Sequence, residues 1–249
     1  MKIKSILFAA VAALSINAAS TSANAAETVR IGTEGAYPPF NQIGPSGRVE
    51  GFDIDIAKAL CAEMDVKCLF VVNDWDTIIT GLQQNKYDAI VASMSITAER
   101  KKAVDFTDRY YSNTLSIVAK KGSNISMDSL KGKNVGAQRA TISAQYLEDS
   151  GSGAELKLYD TQENAWLDLA SGRIDAIVAD TLPSADWISS DAGKGFAIIG
   201  DAIDIDDEIG IAVRKGDRLR GKLNAAIAAI RKNGTYKAIN DKYFAVDIY

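Results

Sequence analysis

The sequence predicts a two-lobed α/β protein, each lobe a mixed, mostly parallel sheet flanked by helices, with two strands crossing between the lobes as a hinge. Three observations carry this. Short β-rich segments alternate with segments of helical apolar spacing through two consecutive βαβαβ units. The pentapeptide Asp-Ala-Ile-Val-Ala closes both units, at residues 88–92 and 175–179, each time behind a helix with a leucine at the same offset, Leu82 and Leu169. After the second unit is complete the chain still holds a strand and two helices, which most simply return to the first lobe.

The chain opens MKIKSILFAAVAALSINAASTSANA, with Lys2 and Lys4, an apolar run from Ile6 to Leu14 and the small-residue site Ala23-Asn24-Ala25 before Ala26. That order reads as a secretory signal peptide over residues 1–25, and its apolar run is too short to cross about 30 Å of hydrocarbon. An exported product that is soluble in the periplasm is therefore expected. Lobe 1 is then expected over 26–114 and 206–249, and lobe 2 over 115–205.

In the first unit TVRIGT (28–33) is a strand, FDIDIAKALCAEM (52–64) a helix, KCLFVV (67–72) a strand, WDTIITGLQQ (75–84) a helix and DAIVAS (88–93) a strand. LSIVAK (115–120) leads into the second unit. There NVGAQ (134–138), ELKLY (155–159) and DAIVAD (175–180) are strands, and TISAQYLEDS (141–150) and ENAWLDLASG (163–172) are helices. GIAVRK (210–215) is the returning strand, followed by an amphipathic helix over 217–234 that Gly234 ends and a last helix over 235–244.

Charge and composition exclude several functions. The formal charge of −4 becomes −6 once Lys2 and Lys4 are removed, so a nucleic-acid backbone is not an expected partner. With no histidine, the chain lacks the commonest general base and metal ligand. No cofactor or metal is expected, and Asp206-Asp207-Glu208 reads as a solvated acidic turn rather than a cation site. Cys61 and Cys68, the only cysteines, read as a structural disulfide in an exported chain, since a redox pair would favour closer spacing.

Ligands of open α/β sheets sit beyond the carboxyl ends of the strands. Here those ends carry Glu34 to Tyr37, Asn73 to Trp75, Ser93 to Thr97, Gln138 to Ser143, and Asp180. Both charge signs, hydroxyls and aromatics are present, with no catalytic pair. Phe52 and Ile54 are expected in the core, and Asp53 and Asp55 on the polar side of their helix. Tyr110 and Tyr111 fit either hinge packing or the cleft rim.

TEGAYPPF, GFDIDIAKALC, WDTIITGLQQNKYDAIVASMSITAERKKAVDFTDRYY and GTYKAINDKYF, with the close cysteine pair, resemble the extracytoplasmic solute-binding proteins of polar amino-acid ABC transporters, and among them the lysine/arginine/ornithine and histidine binders. The resemblance covers essentially the whole chain after the signal peptide. It implies a periplasmic-binding-protein fold and a monomer that closes on an amino acid and delivers it to a permease in the inner membrane.

Carried over residue by residue, the resemblance implies that Arg100 forms a two-pronged pair with the ligand α-carboxylate, for which a guanidinium is better shaped than an ammonium. Ala92, Ser93, Met94 and Ser95 would contact the ligand from lobe 1, and Gln138, Thr141, Ile142 and Ser143 from lobe 2. A helix starting near Thr141 would point free N–H groups at the carboxylate. Asp180 would hold the α-ammonium, its other reading being a cap of the helix that starts near Thr181. Glu34, Tyr37 and Trp75 would face the ligand side chain, and a carboxylate and an aromatic there suit a cation.

The sequence departs from that pattern in three places. Glu34 is one methylene longer than the usual aspartate. Gln138 and Arg139 replace an apolar residue and a glutamine, and Arg139 could compete for Glu34 or favour a ligand with a further carboxylate, such as an opine. IDIDDEIG (203–210) replaces a glycine-rich aromatic loop. Two other readings stay open: a periplasmic enzyme like cyclohexadienyl dehydratase, with Glu34 as its acid, and a receptor that serves a chemosensor.

Overall fold

The computed structural model describes residues 27–249. The signal-peptide reading, with its cleavage near Ala25/Ala26, lies outside the described residues.

The first unit builds β1 (Thr28–Thr33), α1 (Phe52–Glu63), β5 (Lys67–Val72), α2 (Ile78–Gln83) and β6 (Ala89–Ile90). Between β1 and α1 lies a small antiparallel sheet of β2 (Ala36–Tyr37), β3 (Asn41–Ile43) and β4 (Val49–Glu50). A one-turn helix, α3 (Arg100–Ala103), leads into the long strand β7 (Asp105–Lys120). The second unit is β8 (Asn134–Gln138), α4 (Ile142–Asp149), β9 (Glu155–Tyr159), α5 (Gln162–Ala170) and β10 (Ala176–Asp180), continued by α6 (Thr181–Ser189). The chain returns through β11 (Phe196–Val213) and ends in α7 (Leu219–Lys232) and α8 (Thr235–Tyr243).

The strands lie in the order β5-β1-β6-β11-β7-β10-β8-β9. Each unit places its first strand between its second and third, and those three are mutually parallel. The repeated pentapeptide thus occupies the same slot twice, next to a long antiparallel strand: β6 beside β11, and β10 beside β7. Each half packs its own core. One is built around Val29, Ile31, Phe52 and Tyr110, the other around Leu115, Val135, Leu147 and Val178.

The long strands are where sequence and structure differ most. LSIVAK and GIAVRK account for only parts of β7 and β11, which pair antiparallel through both halves with register shifts between Ile199 and Ala212. RYYSNT, the middle of β7, lacks apolar alternation, whereas along β11 Ile203, Ile205, Ile209 and Ile211 alternate with Asp207 in the same series; backbone pairing holds both strands extended. The first DAIVAS is shorter than its spelling suggests. Ser93 has φ 53°, so the backbone leaves the strand direction at that residue and turns toward the cleft.

Phe52 and Ile54 are fully buried, as their spacing requires. Asp53 is buried too, contrary to the expectation that it faces solvent: it shares the inward face of α1 with Ile56, Ala57 and Leu60, three, four and seven residues on. Tyr110 and Tyr111 are completely buried beside Phe52 and Phe40 and belong to the core rather than to a rim. Cys61 and Cys68 form a disulfide that ties α1 to β5. Gly32 has no room for a side chain, because an added Cβ would lie 2.5 Å from the ring of Tyr87.

Candidate ligand-binding site

The carboxyl ends of β1, β5, β6, β8 and β10 converge on one cavity between the two halves. Its lining comprises Glu34, Tyr37, Trp75, Ala92, Ser93, Ser95 and Arg100 from the first half and Gln138, Thr141, Ile142 and Asp180 from the second. Met94 and Ser143 are outside it. Met94 is 1% exposed and packs with Ile78, Leu82 and Val104, because the turn at Ser93 sends its side chain inward. Ser143 is buried in the first turn of α4, one residue behind Ile142.

The cavity is polar and its charges are separated. Arg100 begins α3, and the turn before it brings the guanidinium back over its own loop. Its Nη1 donates to the Ser95 carbonyl and its Nη2 to the Ala140 carbonyl, each at 2.9 Å, and it lies 5.3 Å from the Trp75 ring. Burial lowers the Arg100 pKa to about 10, against the opposing charges of Asp207 and Asp180. It remains a cation at any physiological pH.

Asp180 ends β10 and occupies the N-cap position of α6, yet its side chain makes no cap hydrogen bond. It turns into the cleft, where the Tyr37 hydroxyl donates to it at 2.6 Å. Burial raises its pKa to about 6, countered by that hydrogen bond and reinforced by Asp207. The capping reading is thereby replaced by an inward carboxylate.

Glu34 is 7% exposed and accepts from Gln138 Nε2 at 2.6 Å. Burial raises it to about 7, with Asp74 and Asp76 pushing the same way and Gln138 opposing. Arg139 does not compete for Glu34. It faces away from the cavity and pairs with Asp76 at 3.3 Å and with Asp160.

Hydroxyl roles are narrower than their residue types suggested. Ser93 Oγ donates to Asp53 at 3.0 Å, and Thr141 Oγ1 donates to the Gln138 carbonyl while accepting from Ala144 N–H as the cap of α4. At the start of α4 the backbone amides of Ile142 and Ser143 have no intrahelical acceptor, and of these two residues Ile142 lines the cavity. Asp53 takes part from behind. Tyr110 and Asn41 also donate to it, at 2.6 and 2.9 Å, and burial raises it to about 6.

Several of these contacts cross the cleft. Tyr37 meets Asp180, Glu34 meets Gln138, Asp76 meets Arg139, and both Arg100 and Trp75 donate to the Ala140 carbonyl. Ala140 has φ 56°, which turns that carbonyl toward the first half.

Two buried acids were missed from the sequence. Asp53 sits at an apolar-face position of α1. Asp207, read there as part of a solvated turn, takes the alternate position on β11 between Ile205 and Ile209 and is 7% exposed. In both, an acidic residue at a position where the periodicity demands an apolar one was the available signal. Among the described residues no cluster of acidic or sulfur side chains has metal-ligand geometry, and no helix is long and apolar enough to cross a membrane.

Comparison with known proteins gives a consistent answer. The L-arginine-binding protein of Pseudomonas aeruginosa is 47% identical over 231 residues, covering 89% of either chain. ABC transporter arginine-binding protein 1 of Escherichia coli is 40% identical over 89% of this chain and 93% of its own. An ancestral arginine-binding protein solved with arginine bound matches with a TM-score of 0.83 at 40% identity, over 88% of this chain and 98% of that one. The family model for bacterial extracellular solute-binding proteins, family 3, spans residues 29–246, so the chain belongs to that family.

Proposed function

We propose that the protein is the receptor of an ABC importer and binds a cationic L-amino acid of the arginine type in the cavity between its lobes. The observation that carries this is the charge layout: one guanidinium, Arg100, and two carboxylates, Asp180 and Glu34, at different positions of a single cavity. Arg100 takes the α-carboxylate together with the α4 amides, Asp180 takes the α-ammonium, and Glu34 takes the side-chain cation against Trp75 and Tyr37.

Opposite ends of the ligand are read by opposite lobes, so the ligand itself bridges and stabilises the closed form. In this reading lobe 1 comprises 26–114 and 206–249, lobe 2 comprises 115–205, and the middle of the β7/β11 ribbon is the hinge. The signal peptide directs the chain to the periplasm, where it works as a cofactor-free monomer and passes its ligand to a permease. Arginine-binding relatives support the ligand class.

Arg139 is neutralised by Asp76 and Asp160, so its guanidinium is not free to take the extra carboxylate of an opine. An enzymatic role would rest on Glu34 alone as a proton donor. The test is a thermal-shift panel of arginine, lysine, ornithine, histidine, glutamine, glutamate, an opine and agmatine. Cationic amino acids should raise the melting temperature most, since a ligand held by the native state stabilises it by mass action. No shift with any of them would sink the assignment, and aromatic product formed from prephenate or arogenate would revive the enzyme.

A further inference from the structure

Asp207 is a buried charge close to the site to which the ligand assignment gives no role. A carboxylate in an apolar register needs partners. Asn113 Nδ2 donates to its Oδ2 at 2.9 Å and Ser95 Oγ donates to the same oxygen at 3.2 Å.

Strand pairing locates it further. Asp207 on β11 is opposite Asn113 on β7, and Leu115, two residues along β7, is opposite Asp180 at the end of β10. Since paired residues and alternate residues share a face, Asp207, Asn113, Leu115 and Asp180 all project to the same side of the hinge ribbon. Asp180 is the diagonal neighbour of Asn113, which already holds Asp207. On its other flank, Ser95 donates to Asp207 and gives its carbonyl to Arg100. The hinge carboxylate is therefore one residue removed from the groups assigned to each end of a bound amino acid.

The charges explain why a second carboxylate matters. Arg100 feels the negative charges of two aspartates, Asp207 and Asp180. When a ligand carboxylate takes Arg100, both aspartates are left to the α-ammonium. A ligand without that ammonium leaves two buried carboxylates with no cation, a costly arrangement.

We propose that Asp207 is a positioning residue of the ligand site: fixed at the hinge by Asn113 and Ser95, its carboxylate adds a second negative charge beside Asp180 and makes binding depend on a protonated α-amino group. This rests on the amino-acid reading of the cavity. Asp207 acts through its neighbours and does not line the cavity.

The experiment is calorimetric titration of the unaltered protein and of Asp207→Asn, which keeps the shape and removes the charge. The probes are arginine and 5-guanidinopentanoate, which is arginine without its α-amino group. In the variant the Kd for arginine rises on the order of tenfold, while the analogue stays within about twofold or tightens, so that discrimination between the two collapses. Equal weakening of both probes would reduce Asp207 to a structural role, and unchanged discrimination would overturn the proposal as well. Failure of the unaltered protein to bind arginine would instead remove the amino-acid reading, which separates the two failures. Should the variant not fold, carboxyl ¹³C resonances of the unaltered protein decide: the Asp207 signal moves on saturation with arginine and not with the analogue, and equal movement with both refutes the idea.

Discussion

The Tyr37 hydroxyl reaches across the cleft to donate to Asp180 at 2.6 Å, so a phenol covers the carboxylate assigned to the ligand ammonium. A hydrogen bond to a charged acceptor contributes about 1.5–3 kcal/mol, and here it joins residues from opposite halves. Tyr37→Phe is therefore expected to shift the unliganded protein toward its open form, with a larger radius of gyration in small-angle scattering. Saturating arginine should restore the compact form, because its ammonium takes over Asp180. An unliganded variant as compact as the unaltered protein would show that this contact does not hold the lobes together.

Three buried acids give stability a defined pH dependence. Burial holds Glu34 at about 7 against an ordinary 4.5, and Asp53 and Asp180 at about 6 against 3.8. As pH rises the unfolded chain gives up these protons first, so the native state is stabilised below about pH 4 and loses that contribution through the window up to about pH 7. For Glu34 alone the gap corresponds to at most about 3 kcal/mol. The melting temperature without ligand should fall between about pH 4 and about pH 7. With saturating arginine the fall should be smaller, since the ligand cations replace the protons of Glu34 and Asp180 while Asp53, behind the cavity, keeps its share, and titrations in buffers of different ionisation enthalpy should register proton release. A flat profile without ligand would contradict the burial of these carboxylates.

Arg100→Lys tests shape separately from charge. The guanidinium donates to two carbonyls while facing the cavity, whereas an ammonium is a point charge with no planar fork. The variant should lose roughly a hundredfold in arginine affinity, because the two-pronged pair with a carboxylate is lost and the Ala140 carbonyl is left without one of its donors. A loss below about threefold would mean that charge alone suffices.

Most of the architecture was legible because the strands of both units are short apolar runs bounded by turns. β1, β5, β8 and β9 coincide with TVRIGT, KCLFVV, NVGAQ and ELKLY to the residue. The duplicated pentapeptide pointed to equivalent strands, and both do occupy equivalent slots. The ribbon of β7 and β11 was legible only in part, since pairing between the two strands rather than apolar alternation keeps residues such as Ser112 and Asn113 extended, and the acidic run at 206–208 masks the alternation of β11. Polar roles were harder still. Ser93 and Asp180 both follow the pentapeptide, but the Ser93 hydroxyl is committed to Asp53, a partner forty residues away that sequence spacing does not reveal.

Reduction of the Cys61–Cys68 bridge should lower stability without touching the site. The closed loop of eight residues contributes about 2.5 kcal/mol in the chain-entropy description. The bridge joins α1 to β5, and neither cysteine lines the cavity. Cys61→Ala/Cys68→Ala should unfold at lower denaturant concentration and bind arginine with unchanged affinity. A matching loss of affinity would show that the α1/β5 connection also positions Trp75.

Arg139 gives the opposite kind of prediction. Its ion pair with Asp76 spans the cleft at 3.3 Å, so it has the position of a latch on the closed form. Its side chain is 43% exposed, however, and that of Asp76 34%. Solvent screens such a pair, and exposed pairs contribute about 0–1 kcal/mol. Asp160 also holds the guanidinium from within the second half, so breaking the Asp76 contact leaves the arginine paired. Arg139→Ala should therefore change arginine affinity by less than about fivefold, an effect that fades further in high salt, and it should not alter the response to opines. A large loss in low salt alone would identify Arg139 as an electrostatic latch, and a gain of opine binding would mean that the guanidinium guards the cavity.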